Sequence, residues 1–177
     1  MIWRRFFRPG PARRAGGRLY ERMVAQARAP WLYAELGAPD TPDGRFELYT
    51  LHVLLALGRL EGGGPAAGAV AQSLFDAYLS GLDHGLRELA VGDLAVGRTM
   101  RRLGEAFYGR RVALGAALAA LPDAAPLEAL VGRTVFSGAA DRDPAPIAAY
   151  VAGARDRLAA APLDEVIEGA WSWPSCA

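Results

Sequence analysis

Apolar residues recur along the chain at three- and four-residue intervals, while alternating runs of Val, Ile and Thr are missing. That is the period of a helix, and it predicts an all-α protein. A first helix is expected over residues 17–28 and a short second one over the segment WLYAELG, ended by the turn Gly37-Ala38-Pro39-Asp40. The third should run from Thr41 to about Glu61. Thr41 can cap it, Pro42 suits its first position, Asp43 favours its positive end, and Gly62-Gly63-Gly64 stops it. It is apolar nearly all round, through Phe46, Tyr49, Leu51, Val53, Leu54, Leu55, Leu57 and Leu60, which predicts a central, buried helix. Arg45, His52 and Arg59 recur every seven residues as its one polar stripe, expected to lead to solvent or a groove.

A fourth helix is predicted over residues 65–90. Leu74, Phe75, Tyr78, Leu79, Leu82, Leu86 and Leu89 cover an arc of about 140°, and Gln72, Asp76, Ser80, Asp83 and Arg87 gather on another. Asp83 and Arg87 stand one turn apart and can pair. Gly92 should end this helix and Asp93 cap the next, over about 93–120. There Val96, Met100, Leu103 and Phe107 share one face, with Arg98, Arg101, Arg102 and Glu105 opposite. Gly97 and Gly104 lie one heptad apart at the edge of the apolar face, a pattern that signals either close approach of another helix or drift toward Gly codons. Beyond residue 121 the chain is Ala-rich, with helices expected near 126–138, 144–160 and 163–171, and with Trp171 and Trp173 placed to dock on the core or to anchor to a partner. The whole reads as one helical bundle of about six to eight helices. Residues 1–17 form a flexible basic arm, 18–160 the helical body, and 161–177 a tail with a short helix.

Charge divides the chain. Residues 1–28 hold eight Arg against one acid, whereas the rest holds twelve Arg against eighteen acids. Every basic residue is arginine, a bias that fits a GC-rich genome better than a mechanism. The opening cluster Trp3, Arg4, Arg5, Phe6, Phe7 and Arg8 has the amphipathic, basic character of an arm that meets an anionic membrane surface or a ribosome. A solvated terminus with incidental charge accounts for it equally. No secretory h-region precedes Pro9, and no stretch of eighteen apolar residues exists. The single Cys176 excludes an intrachain disulfide and a cysteine-rich metal site.

Candidate chemistry is thin. His84 and Glu88 are one turn apart, but two histidines and no HExxH make a metal site a poor reading. His52 with His84 is the minimal pair for a bis-histidine haem, kept as an alternative. No nucleophile elbow, phosphate loop or dinucleotide fingerprint is present. The carboxylates Asp83, Glu88 and Asp93 are ordinary for solvated helix faces. The charge cluster from residue 82 to 110 reads as an interaction surface, with no catalytic residues, metal or cofactor.

One ordered series of short motifs is more specific. Asp-Thr-Pro-Asp-Gly-Arg-Phe (40–46), Leu51-His52, Arg59-Leu60 and Leu74-Phe75-Asp76 are followed by D-x-x-L-R-E (83–88), V-G-D-L-x-V-G (91–97) and A-F-Y-G-R (106–110). Over residues 18–120 this series resembles the ubiquinol–cytochrome c chaperone family, the assembly factors for cytochrome b of the respiratory reductase. The resemblance implies a non-enzymatic, all-helical chaperone that binds newly made cytochrome b. In mitochondrial relatives it implies a small helical partner and work near the ribosomal tunnel exit. Lack of a long targeting extension points to a bacterial homologue, placed in the cytoplasm at the inner face of the inner membrane.

Such a holder needs an apolar groove with a polar rim. The expected groove lies beside Gly97 and Gly104, rimmed by Asp83, Arg87, Glu88, Asp93, Arg101, Arg102, Tyr108 and Arg110, with Arg45 a further partner-binding candidate. Each of these residues can instead be a surface salt bridge or a cap. A peripheral membrane adaptor acting through the basic arm is the main competing function.

Overall fold

The computed structural model describes residues 10–88 and 93–175, the side chains of 88 and 93–95 excepted. The described residues form eight helices: α1 (Pro11–Ala27), α2 (Pro30–Ala34), α3 (Pro42–Leu60), α4 (Gly64–Glu88), α5 (Asp93–Ala119), α6 (Ala125–Thr134), α7 (Ala145–Ala160) and α8 (Leu163–Glu168). The all-α bundle expected from the periodicity is the observed fold.

Helix α3 is the axis. Helices α1 and α4 pack on one side of it and α7 on another, while α5 bridges α4 to α6, α6 meets α7, and α8 returns to α1. The N-terminus of α3 is built as its sequence dictates: Pro42 sits in the first turn and the Gly44 N–H donates to Thr41 Oγ1 at 3.1 Å. Leu48, Leu51, Val53, Leu54, Leu55 and Leu60 are all buried, each contributing on the order of 2 kcal/mol of apolar transfer.

Helix α1 begins at Pro11, so residues 11–17, expected in a flexible arm, are helical. Pro11 occupies the first turn, where its missing N–H costs nothing. Ala15, Gly16, Leu19, Met23 and Ala27 form the buried stripe. Gly16 sets the approach to α4: a Cβ there would lie 2.5 Å from Ser73 Cβ and 2.7 Å from the Leu74 nitrogen. Lower on the same crossing, a Cβ on Gly81 would overlap the Tyr20 ring. The arm residues Trp3, Arg4, Arg5, Phe6, Phe7 and Arg8 lie outside the described residues, as do the expected stop at Gly92 and Cys176.

The C-terminal segment docks as its tryptophans suggest. Gly169 (φ 78°) ends α8 in the left-handed conformation, and Trp171 is buried beneath the Arg22 guanidinium, 4.7 Å from its ring centre. Arg22 also donates to the Trp171 carbonyl. Trp173 meets Trp171 edge-on and contacts His52 at 5.1 Å between ring centres.

Candidate functional site

The polar stripe of α3 does not lead to solvent. Only Arg45, in the first turn, is exposed, bonded to Asp40 at 2.6 Å. One step down, His52 is enclosed: it stands 2.7 Å from the Leu48 carbonyl through Nδ1 and 2.6 Å from the Tyr150 hydroxyl through Nε2. The carbonyl can only accept, so Nδ1 carries the proton and Nε2 accepts from Tyr150, whose oxygen in turn accepts from Gln26 at 3.0 Å. Burial pushes the His52 pKa down to about 4. With both nitrogens engaged and the ring under Trp173, His52 is a core hydrogen-bonding residue, which removes the haem reading with His84. Arg59 donates to the carbonyls of Leu158 and Ala161 at 2.7 and 2.8 Å, capping the C-terminal end of α7. A seven-residue spacing defines a stripe, and the surrounding helices decide what the stripe faces.

A second buried polar feature escapes the sequence patterns. Glu47 is 5% exposed and receives both arms of Arg110 from α5, whose guanidinium also lies over the Phe46 ring. Arg110, expected on a partner-binding rim, is therefore turned inward and ties α5 to α3. The signal was an acid inside a helix apolar nearly all round, which calls for a cation somewhere. Tyr78 continues this interior network at 2.9 Å from Thr50 Oγ1, its phenol pushed up to about 12 by burial.

The rest of the expected rim separates into groups. Asp83 accepts from Arg87 at 2.8 Å on an exposed face of α4, which holds the Asp83 carboxyl below its usual range. Glu88 and Asp93 stand at the end of α4 and the start of α5, with side chains outside the described residues. Arg101 and Arg102 are exposed on α5, as the periodicity predicts, and Tyr108 is exposed on the same helix. Among the described residues no atom lies within 4 Å of where a Cβ on Gly97 or Gly104 would sit, so none of the described helices closes on them. Their neighbours Val96 and Phe107 face inward, Phe107 against Phe75 and Tyr78, and the glycines fall on the outer side of that contact.

The apolar depression lies elsewhere. A cavity of about 460 Å³ opens between α3, α5 and α7, walled by Leu54, Leu55, Leu118 and Leu158, with Arg59, Arg111, Arg155 and the acid Glu61 as its charged lining. Tyr108 (58% exposed) and Val112 (74%), the exposed large hydrophobic residues of the described chain, stand beside it on α5. Among the described residues no three His, Cys, Asp or Glu side chains converge as a metal site, and no helix is long and apolar enough to cross a membrane.

Comparisons place this architecture. The family described as Ubiquinol-cytochrome C chaperone matches residues 34–173. The crystal structure of the Cbp3 homolog from Brucella abortus is similar at a TM-score of 0.84 and 39% identity, over 99% of this chain and 97% of that one. None of the curated proteins matches the chain.

Proposed function

The chain belongs to the ubiquinol–cytochrome c chaperone family, and from that premise we propose that it holds newly made cytochrome b during assembly of the ubiquinol–cytochrome c reductase, without catalysing a reaction. The family match, extended nearly end to end by the similarity to the Cbp3 homolog, is the observation that carries this reading. The placement of polar groups supports it. His52, Glu47 and Arg59 are spent on internal hydrogen bonds. What remains outward on α5 is a mixed ionic and apolar face, suited to gripping an apolar polypeptide.

The place of work is a cytoplasmic, anionic membrane surface in a bacterium. Arg13, Arg14 and Arg18 are exposed on α1 and extend the basic cluster Trp3–Arg8. Removing residues 1–9 leaves the buried stripe of α1 intact. That truncation should lower recovery with membranes and leave client capture in place; a pure membrane adaptor loses both.

Deletion of the gene tests the function itself. Cytochrome b protein and reductase activity should fall while the cytochrome b transcript and other respiratory enzymes persist. Unchanged cytochrome b in the deletion strain overturns the proposal.

A further inference from the structure

Helix α5 is a charge anomaly. It carries Arg98, Arg101, Arg102, Arg110 and Arg111 against Asp93 and Glu105, on a chain that beyond residue 28 is otherwise acidic. Arg110 is used internally, while Arg98, Arg101, Arg102 and Arg111 are exposed. The same outer face holds Tyr108 and Val112. Positions 108, 112, 115 and 119 follow helical spacing, so this face runs about 16 Å, some three turns. Its lower half enters the cavity between α3 and α7, where Gly115 and Gly58 leave open space at their Cβ positions. At the rim, Arg111 is paired with Glu61 at 3.0 Å. Arg155 Nε lies 3.1 Å from Asp156 Oδ1 but out of line for a hydrogen bond, and no other acceptor among the described residues reaches it.

We infer that this strip, from Tyr108 down into the α3–α5–α7 cavity, seats one apolar helix of the client whose end carries acidic side chains. The inference rests on the chaperone reading and adds the seat and the kind of segment. Leucine-lined walls take the apolar side chains of a helix laid in a groove. The cationic surround selects a helix with acid at its end over one with basic flanks, chiefly through encounter rate and specificity. The acidic surface of the remaining body disfavours that same flank elsewhere.

The test uses the full chain and two fluorescent helical peptides of leucine and alanine, one ending in glutamates and one in lysines. The glutamate peptide should bind at least fivefold more tightly, and raised salt should narrow the difference. Gly115→Trp, which fills the cavity from an open position, should weaken binding of the glutamate peptide tenfold or more at unchanged melting temperature. Val112→Glu serves as the second variant, and Arg111→Glu with Arg155→Glu should invert the peptide preference. Equal binding of both peptides, or full binding by Gly115→Trp and Val112→Glu, overturns the inference. So does a strip variant that instead alters self-association or binding to anionic vesicles. Capture of newly made cytochrome b is measured in parallel: if the wild type captures it and both variants do so equally, the seat is wrong and the chaperone reading stands. If the wild type captures none, that reading fails by itself.

Discussion

Glycine serves opposite ends in two regions of this molecule. At the α1–α4 crossing, a Cβ on Gly16 would meet Ser73 and the Leu74 backbone, so the fold itself requires that glycine, and one on Gly81 would press on the Tyr20 hydroxyl. On α5, Gly97, Gly104 and Gly115 face open space, and nothing among the described residues accounts for their cost to the helix. The same division holds for charge: Arg110 is committed to Glu47 in the interior, and Arg101 and Arg102, one helix face away, are exposed. A bundle spends some of its irregular residues on closing its own core. Those it leaves unspent stay at the surface, on the face proposed above as the seat of a client.

The strongest break of this contrast is at the crossing. Gly16→Val should destabilise by about 3 kcal/mol or more, since the clash includes the α4 backbone and cannot be relieved by a rotamer change. Chemical denaturation reads this directly, and a variant as stable as wild type would mean that α1 does not sit against α4 as described. Arg110→Ala comes next, at about 2–3 kcal/mol; it strands the buried Glu47 carboxylate, although the 23% exposure of the Arg110 side chain tempers the loss. Replacing both partners, with Glu47→Gln and Arg110→Met, should recover most of that loss in a double-mutant cycle.

Acid sharpens the interior half of the contrast. His52 has a folded pKa near 4, below its ordinary 6.5, so the unfolded chain binds the proton more readily. Stability is therefore complete above about pH 6.5 and falls as pH drops toward 4, by about 2 kcal/mol at pH 5 from this residue alone. His52→Gln should flatten that part of the pH profile, whatever its own stability. The smallest effects belong to α5: Gly97→Ala and Gly104→Ala should each raise stability by up to about 1 kcal/mol, because helix propensity improves and no neighbour is displaced. A loss at either site would reveal a contact that the open space denies.

These regions also show what the sequence discloses. The Thr41-Pro42-Asp43 cap, the central place of α3, the Asp83–Arg87 pair and the docking of Trp171 and Trp173 rest on local rules that neighbouring helices do not override. Failures occur where a residue's role is set by something distant in the chain. Gly97 and Gly104 have the spacing of a helix-packing notch, but α4 contacts the other face. Gly16 looks unremarkable until Ser73 and Leu74 are placed against it. Arg110 is one more exposed-looking cation until Glu47, 63 residues earlier, claims it. Val112 did carry a local signal, as an apolar residue off the Val96–Met100–Leu103–Phe107 stripe. The cavity beside it has no sequence signature, since three separate helices wall it.

The central claim is that this all-α body exists to hold an immature apolar protein. Its most direct measurement is recovery of newly synthesised cytochrome b with the affinity-purified full chain after a short pulse label, with an unrelated membrane protein labelled in the same cells as reference. The account predicts strong enrichment of cytochrome b over the reference, decaying as the reductase assembles. Equal recovery of the two, or none of either, would contradict it.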